Sequence, residues 1–203
     1  MSQIRIIRDI EGNEYGTTRI GSRLWTSTNL ITSSFRNGES IPVIEHNEEW
    51  EKAGELGLPA CCWYNNQIKG MSRFGLLYNW FAVNDTRGLA PEGWSIPEAA
   101  DWNDLIQSQG GWNISGRKIK SKSAWSHLGN GNNSSGFSAL PAGGRGALGS
   151  YLDQGDYANW WCRESASDRE AKFFSITFVD SAVKLQTDGF KASGLSVRCV
   201  RGL

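Results

Sequence analysis

The stretch from Tyr157 to Leu203 constrains the fold most. It holds four runs in succession: YANWWCRES (157–165), AKFFSITFVD (171–180), SAVKLQTD (181–188) and LSVRCVRGL (195–203). Each is strand-length, and Gly, Asp or Ser separates them, so each reads as a β-strand. Neighbouring side chains on a strand point to opposite faces. Phe174, Ile176 and Phe178 therefore share one face, and Phe173, Ser175 and Thr177 the other. Val183 and Leu185 oppose Lys184 and Gln186, while Leu195, Val197 and Cys199 oppose Ser196, Arg198 and Val200. This pattern predicts an antiparallel sheet with one core face and one polar face. In NWWCRES the same parity sends Trp160 and Cys162 into the core and leaves Asn159, Trp161 and Arg163 pointing outward.

Upstream the period changes. QIRIIR (3–8) reads as a first strand, followed by a turn at Gly12 and a hairpin about Gly21-Ser22, with Trp25 and Leu30 as core residues. NEEWEKAGEL (47–56) reads as a short helix capped by Asn47, with acidic residues in its first turn. FGLLYNWFAVN (74–84) places Leu77, Trp80 and Phe81 at helical spacing. PEAADWNDLIQSQGG (97–111) is a second principal helix, with Pro97 in its first turn, Trp102, Leu105 and Ile106 on one face, and Gly110 at its end. Residues 107–150 are rich in Gly, Ser and Asn. They still carry the anchors Ile119, Trp125, Phe137 and Leu140, which predicts a long ordered loop region. The basic run GRKIKSKS (116–123) is expected to be a solvated strand or loop face. The 24 glycines and 10 tryptophans fit this picture of many tight turns around a Trp-rich core or recognition surface. Together these readings give an α+β chain, taken as one domain over 1–203.

Several function classes are disfavoured. Acidic and basic residues number 21 each, and a nucleic-acid surface needs a basic excess. No apolar run reaches the roughly 18 residues of a membrane span. The N-terminal MSQIRIIRDIEGNEYG lacks the uninterrupted apolar region of a secretory leader. The four cysteines, Cys61, Cys62, Cys162 and Cys199, form no CxxC pair, and His46 and His127 are the only histidines. No zinc site is expected. The cysteines read as free buried thiols, with a Cys162–Cys199 bridge left open.

Taken in order, IGSRLWTSTNL (20–30), CWYNN (62–66), FGLLYNWFAVN (74–84), LAPEGWSIPEAADWNDLI (89–106), GFSALPAGGRG (136–146), NWWCRES (159–165) and SGLSVRCVRGL (193–203) resemble the Fibrobacter succinogenes major paralogous domain family. The resemblance spans nearly the entire chain. It implies a C-type-lectin-like fold, in which two main helices and an N-terminal strand pair frame a twisted antiparallel sheet with long ordered loops. Members are mostly surface or secreted bacterial proteins. Some members and lectin-fold relatives are diversified by retroelements in their C-terminal strands and loops, which bind ligands, including host-cell receptors used by phage. Members often read Trp-Trp-Ser-Ser where this chain has WWCRES, and Leu195 stands where Phe is common. Residues 166–193, usually monotonous in Ser, Asn and Tyr, here use nearly every side-chain type.

The resemblance and the parity argument together mark residues 155–203 as the variable ligand-binding region. The expected binding set is Asn159, Trp161, Arg163, Phe173, Ser175, Thr177, Lys184 and Gln186 on the strands, with Ser167, Asp168, Arg169, Asp188, Phe190 and Lys191 in the loops. Trp, Phe and Arg among short polar residues is the composition of a binding hot spot. The expected partner is a protein or glycan receptor on a cell surface, without cofactor, metal, nucleic acid or membrane insertion, and with homo-oligomerisation open. The chain would sit on a virion tail or bacterial surface where a signal or anchor is supplied elsewhere. A glycan-binding or structural surface module is the alternative. A third reading is a cysteine-dependent enzyme like the formylglycine-generating enzymes, which share the lectin-like fold. It is disfavoured, because a nucleophilic cysteine needs an accessible, electropositive setting and usually a base, and no His lies in the C-terminal region. No catalytic residue is therefore expected. WND (102–104) resembles a lectin calcium tripeptide, but it falls within the predicted second helix, and calcium needs six to eight converging oxygens.

Overall fold

The computed structural model describes residues 5–68 and 72–203. The predicted first strand begins outside the described residues, and the rest of it forms β1 (Ile6–Arg8), followed by β2 (Glu14–Ile20) and β3 (Arg23–Thr26). Next come α1 (Asn47–Glu55), β4 (Cys61–Cys62), β5 (Leu77–Tyr78), α2 (Trp80–Val83), α3 (Ala99–Ser108) and α4 (Gly116–Ile119). The chain ends with β6 (Gly144–Arg145), β7 (Tyr151–Leu152), β8 (Tyr157–Ser165), β9 (Glu170–Thr177), β10 (Val183–Phe190) and β11 (Val200–Gly202). The architecture is mixed α and β, with few helices and antiparallel sheets. The sheet orders are β1-β2-β3-β11, β10-β9-β8, β4-β5 and β6-β7.

The four C-terminal runs do not make one sheet. Three pair in the order β10-β9-β8, whereas β11 crosses to the N-terminal sheet, where Val200 lies opposite Trp25. The residues leading to β11 are covered on both sides: Leu195, Val197 and Cys199 are buried, and so are Ser196 and Arg198. Alternation there does not separate core from solvent. Arg198 makes this tolerable. Its guanidinium donates to Asn29 Oδ1 at 2.6 Å, to the carbonyls of Thr26 and Phe137 at 2.7 and 2.8 Å, and to that of Ser138 at 3.1 Å. It also stacks 4.3 Å from the Phe137 ring centroid. Arg145, equally buried, donates to the carbonyls of Gly149, Ile44 and Glu45 at 2.9, 2.6 and 2.9 Å. Two buried guanidiniums thus satisfy carbonyls in the loops and at the end of β3. They hold the long loops in place.

The second helix matches its sequence signals: Trp102, Leu105 and Ile106 are buried in α3, and Gly110 follows it at φ +111°. Pro97 lies just outside, with Glu98 as the N-cap, and the Asp101 carboxylate accepts the Glu98 N–H at 3.0 Å. The helix expected over 74–84 is not formed as such. Leu77 and Tyr78 are extended and pair with Cys62 and Cys61, Phe74 ends a short 3-10 turn, and only Trp80–Val83 is α-helical, capped by Asn79. Phe74, Leu76, Leu77, Tyr78 and Trp80 are all buried, so the segment is apolar on every side and carries no periodic information. Asn47 is the first helical residue of α1 rather than its cap, which is His46, and Asn47 Oδ1 instead accepts from Arg145 at 3.1 Å. The basic run is not a solvated face throughout. It forms α4, and Lys120 is buried, donating to the Asp180 carbonyl at 2.6 Å over the Trp125 ring. Ile119, Trp125 and Phe137 are buried anchors as expected, and Leu140 is half-buried.

The sheet β10-β9-β8 separates two cores. One face carries Trp160 and Phe174 into an aromatic cluster with Trp25, Trp102 and Phe137. Its ring centroids lie close: Trp25–Trp102 at 4.9 Å, Trp102–Phe174 at 4.8 Å and Phe137–Trp160 at 5.5 Å. Such pairs contribute ~0.5–1.5 kcal/mol each beyond the area they bury. The other face carries Trp161 and Ala171 into a second cluster with Tyr15, Phe35, Tyr78, Trp80 and Val197.

Candidate functional site

The structure divides the expected binding set. Trp161 is not offered to a ligand: it is fully buried, and its Nε1–H donates to the Tyr78 carbonyl at 2.8 Å. Parity sets the two tryptophans on opposite faces, but β5 and the segment before β11 cover the face that was expected to be open. The Trp161 backbone N–H donates to the Ser196 carbonyl at 3.2 Å, and Phe173 meets the Trp161 ring edge-on. Gly189 completes the cover. A Cβ there would come within 2.7 Å of the Phe173 ring and 2.8 Å of the Trp161 ring, so only glycine lets β10 pass. Ser175 is likewise buried. Asn159, Phe173, Thr177 and Gln186 are half-buried, and Arg163, Lys184 and Asp188 are exposed.

The β8–β9 turn is built to be rigid. Ser167 Oγ accepts from the N–H groups of Arg169 and Glu170 at 3.3 and 3.1 Å. Lys191 is a clamp and not a free cation: it is buried, its Nζ donates to the carbonyls of Ser167 and Asp168 at 2.8 and 3.1 Å, and it lies 4.6 Å from the Trp80 ring centroid. Its backbone N–H donates to the Arg169 carbonyl, and its carbonyl accepts from Trp80. Asp168 and Arg169 are thereby presented on a fixed platform.

This platform faces the end of α1 across a groove of about 680 Å³. Asp168, Arg169, Phe190 and Lys191 form one wall, and Glu51, Glu55 and Leu56 the other, with Phe81 and Leu148 also lining it. Gly54 permits the approach of the walls, because a Cβ there would stand 2.5 Å from Ala192 Cβ. Leu56, Leu148 and Phe190 are 61%, 69% and 57% exposed. Three large apolar side chains left in water around one concavity, with carboxylates and a guanidinium at its rim, are the marks of a recognition site. Sequence reasoning found Asp168, Arg169, Phe190 and Lys191 but missed the opposite wall. Its signal is weak: Leu56 lies just past α1 in ELGL, off the stripe buried by Trp50 and Ala53.

The cysteines are free and buried. Burial pushes the thiols of Cys61, Cys162 and Cys199 above the ordinary 9.0, and that of Cys62 upward despite the neighbouring Arg145. WND lies in α3 as expected, where the Asp104 carboxylate accepts from the backbone and hydroxyl of Ser22 at 2.7 and 3.0 Å. Among the described residues no group of three or more His, Cys, Asp or Glu is placed to hold a metal ion, and no helix is long and apolar enough to cross a membrane.

The family model described as Fibrobacter succinogenes major domain matches residues 18–201. The comparison with curated proteins found no match.

Proposed function

Since the chain belongs to the Fibrobacter succinogenes major domain family, we propose that it is a non-catalytic binding protein that displays a C-terminal recognition surface on a C-type-lectin-like scaffold. The groove between α1 and the β8–β9 turn carries this reading. It joins exposed Phe190, Leu56 and Leu148 to Arg169, Asp168, Glu51 and Glu55, on backbone fixed by Lys191. Such a mixture of apolar and charged groups suits a protein or glycan receptor on a cell surface. The thiols, buried and held protonated, support a non-catalytic role over a cysteine-dependent one.

We further propose that residues 155–203 are diversified by a retroelement, in a protein of phage or bacterial surface type. The test is the neighbouring DNA. The expected finding is a reverse transcriptase gene and a near-copy of the 3′ coding region that differs at adenines, with differences in the codons of exposed residues such as Arg169 and Phe190 and not in those of Trp160 or Trp161. Absence of both elements would remove diversification from the account, while leaving the groove to be tested by binding.

A further inference from the structure

A second polar site lies where β8, the segment 95–97 and β11 meet. On β11, Val200 is buried and Arg201 is exposed; on β8, Cys162 is buried and Arg163 is exposed. The backbones are pinned to one another: the Arg163 N–H donates to the Pro97 carbonyl at 3.1 Å, and Ser95 and Val200 exchange both N–H···O bonds at 2.9 Å. Between them is a cavity of about 210 Å³ whose lining includes Arg23, Ser95, Glu98, Asp101, Arg163 and Arg201. A neighbouring hollow of about 420 Å³ shares Ser95, Ile96 and Arg163 with it. Neither shares a lining residue with the groove beside α1.

The charges here are unevenly committed. Asp101 pairs with Arg23 Nε at 3.0 Å and accepts the Glu98 N–H. Asp85, in the second hollow, is held by Arg87 at 2.7 Å. Glu164, next to Arg163 in sequence, accepts from the Ala99 N–H at 2.5 Å and from Lys172 at 3.0 Å. The guanidiniums of Arg163 and Arg201 and the hydroxyl of Ser95 have no hydrogen bond, ion pair or ring partner among the described residues. Two free forked donors and a hydroxyl on three mutually fixed elements thus converge on one polar concavity, with the Glu98 carboxylate at its edge.

We propose that this cavity binds one oxyanionic group, a carboxylate or a sulfate, of an acidic saccharide. A guanidinium meets such a group through two parallel N–H···O bonds, and the pinned backbones set the two guanidiniums beside the same concavity. The small size and polar lining suit a hydroxyl-rich ring rather than an apolar side chain. The chain carries as many acidic as basic residues, which disfavours an extended polyanion such as nucleic acid.

The test is titration calorimetry of the full chain at low salt with glucuronic acid, N-acetylglucosamine 6-sulfate, glucose and inorganic sulfate. At least one acidic sugar is expected to bind, and which one does so distinguishes carboxylate from sulfate recognition. Glucose is expected not to bind. Arg163→Ala/Arg201→Ala is expected to weaken binding by about tenfold or more, as loss of charge-assisted bonds requires, with an unchanged melting temperature. Ser95→Ala should weaken it less, and Glu98→Gln should strengthen it. Equal binding of glucose, equal binding by the double variant, or inorganic sulfate binding as tightly as both acidic sugars would each overturn the proposal. Arg169 and Phe190 variants should leave this binding intact, so failure here is separable from failure of the groove.

Discussion

Trp160 and Trp161 are consecutive in β8, yet their indole N–H groups end in different cores: Trp160 Nε1 donates to Asn29 Oδ1 at 2.9 Å, and Trp161 Nε1 to the Tyr78 carbonyl at 2.8 Å. Both side chains are fully buried. The sheet is therefore an internal partition, and the proposed recognition surface lies at its turn, its outer strand end and the helix beside them.

Replacing Trp161 by Phe is expected to destabilise the protein by about 1–3 kcal/mol, from one lost buried hydrogen bond plus lost packing, while the Tyr78 carbonyl keeps the Leu195 N–H. Trp160→Phe should cost a similar amount. Gly189→Ala should cost roughly 1–3 kcal/mol, because its methyl overlaps the Trp161 and Phe173 rings. Urea unfolding monitored by circular dichroism measures all three. A change under about 0.5 kcal/mol for Trp161→Phe, the size usual for surface positions, would contradict its burial.

Arg198→Met should lower stability by about 3 kcal/mol or more, since it removes the donor from the carbonyls of Thr26, Phe137 and Ser138 together. Arg198→Lys should rescue little, because an ammonium cannot span the same acceptors. Full rescue by Lys would show that charge alone is needed there.

Alkaline pH should weaken the fold. Burial raises the thiols of Cys61, Cys162 and Cys199 above the ordinary 9.0 and the Tyr15 and Tyr78 hydroxyls above the ordinary 10.0. The unfolded chain releases these protons first, so above pH ~9 it binds fewer protons than the folded chain, and stability falls as pH rises. Below pH ~8 these groups are protonated in both states and contribute no slope. The urea midpoint should drop steadily from pH 8.5 to 10.5. In the same buffers a thiol reagent should label the folded protein far more slowly than the unfolded one. Rapid labelling of Cys162 in the folded protein would reopen a chemical role for it.

α3 was legible because its signals are local: Trp102, Leu105 and Ile106 on one face and Gly110 after them, although Pro97 stands just before the helix and not in its first turn. The segment 74–84 was not, because burial on every side erases any period. Parity correctly put Trp160 and Trp161 on opposite faces, but it cannot say what lies over a face. Here Tyr78 and Val197, remote in sequence from Trp161, do the covering. Ser196 and Arg198 looked exposed by polarity, but they are buried because Arg198 finds carbonyls far along the chain. The turn wall of the candidate groove was readable as a charged loop between strands. The α1 wall was not, because it depends on the contact of Gly54 with Ala192.

The groove between α1 and the β8–β9 turn is tested most directly by applying wild type and Arg169→Ala/Phe190→Ala to the same array of cell-surface proteins and glycans. Both side chains are exposed, so the double variant should keep its circular dichroism spectrum and melting temperature. Wild type is expected to bind specific partners that the folded double variant loses. An unchanged set of bound partners for the double variant would contradict a recognition role for the groove.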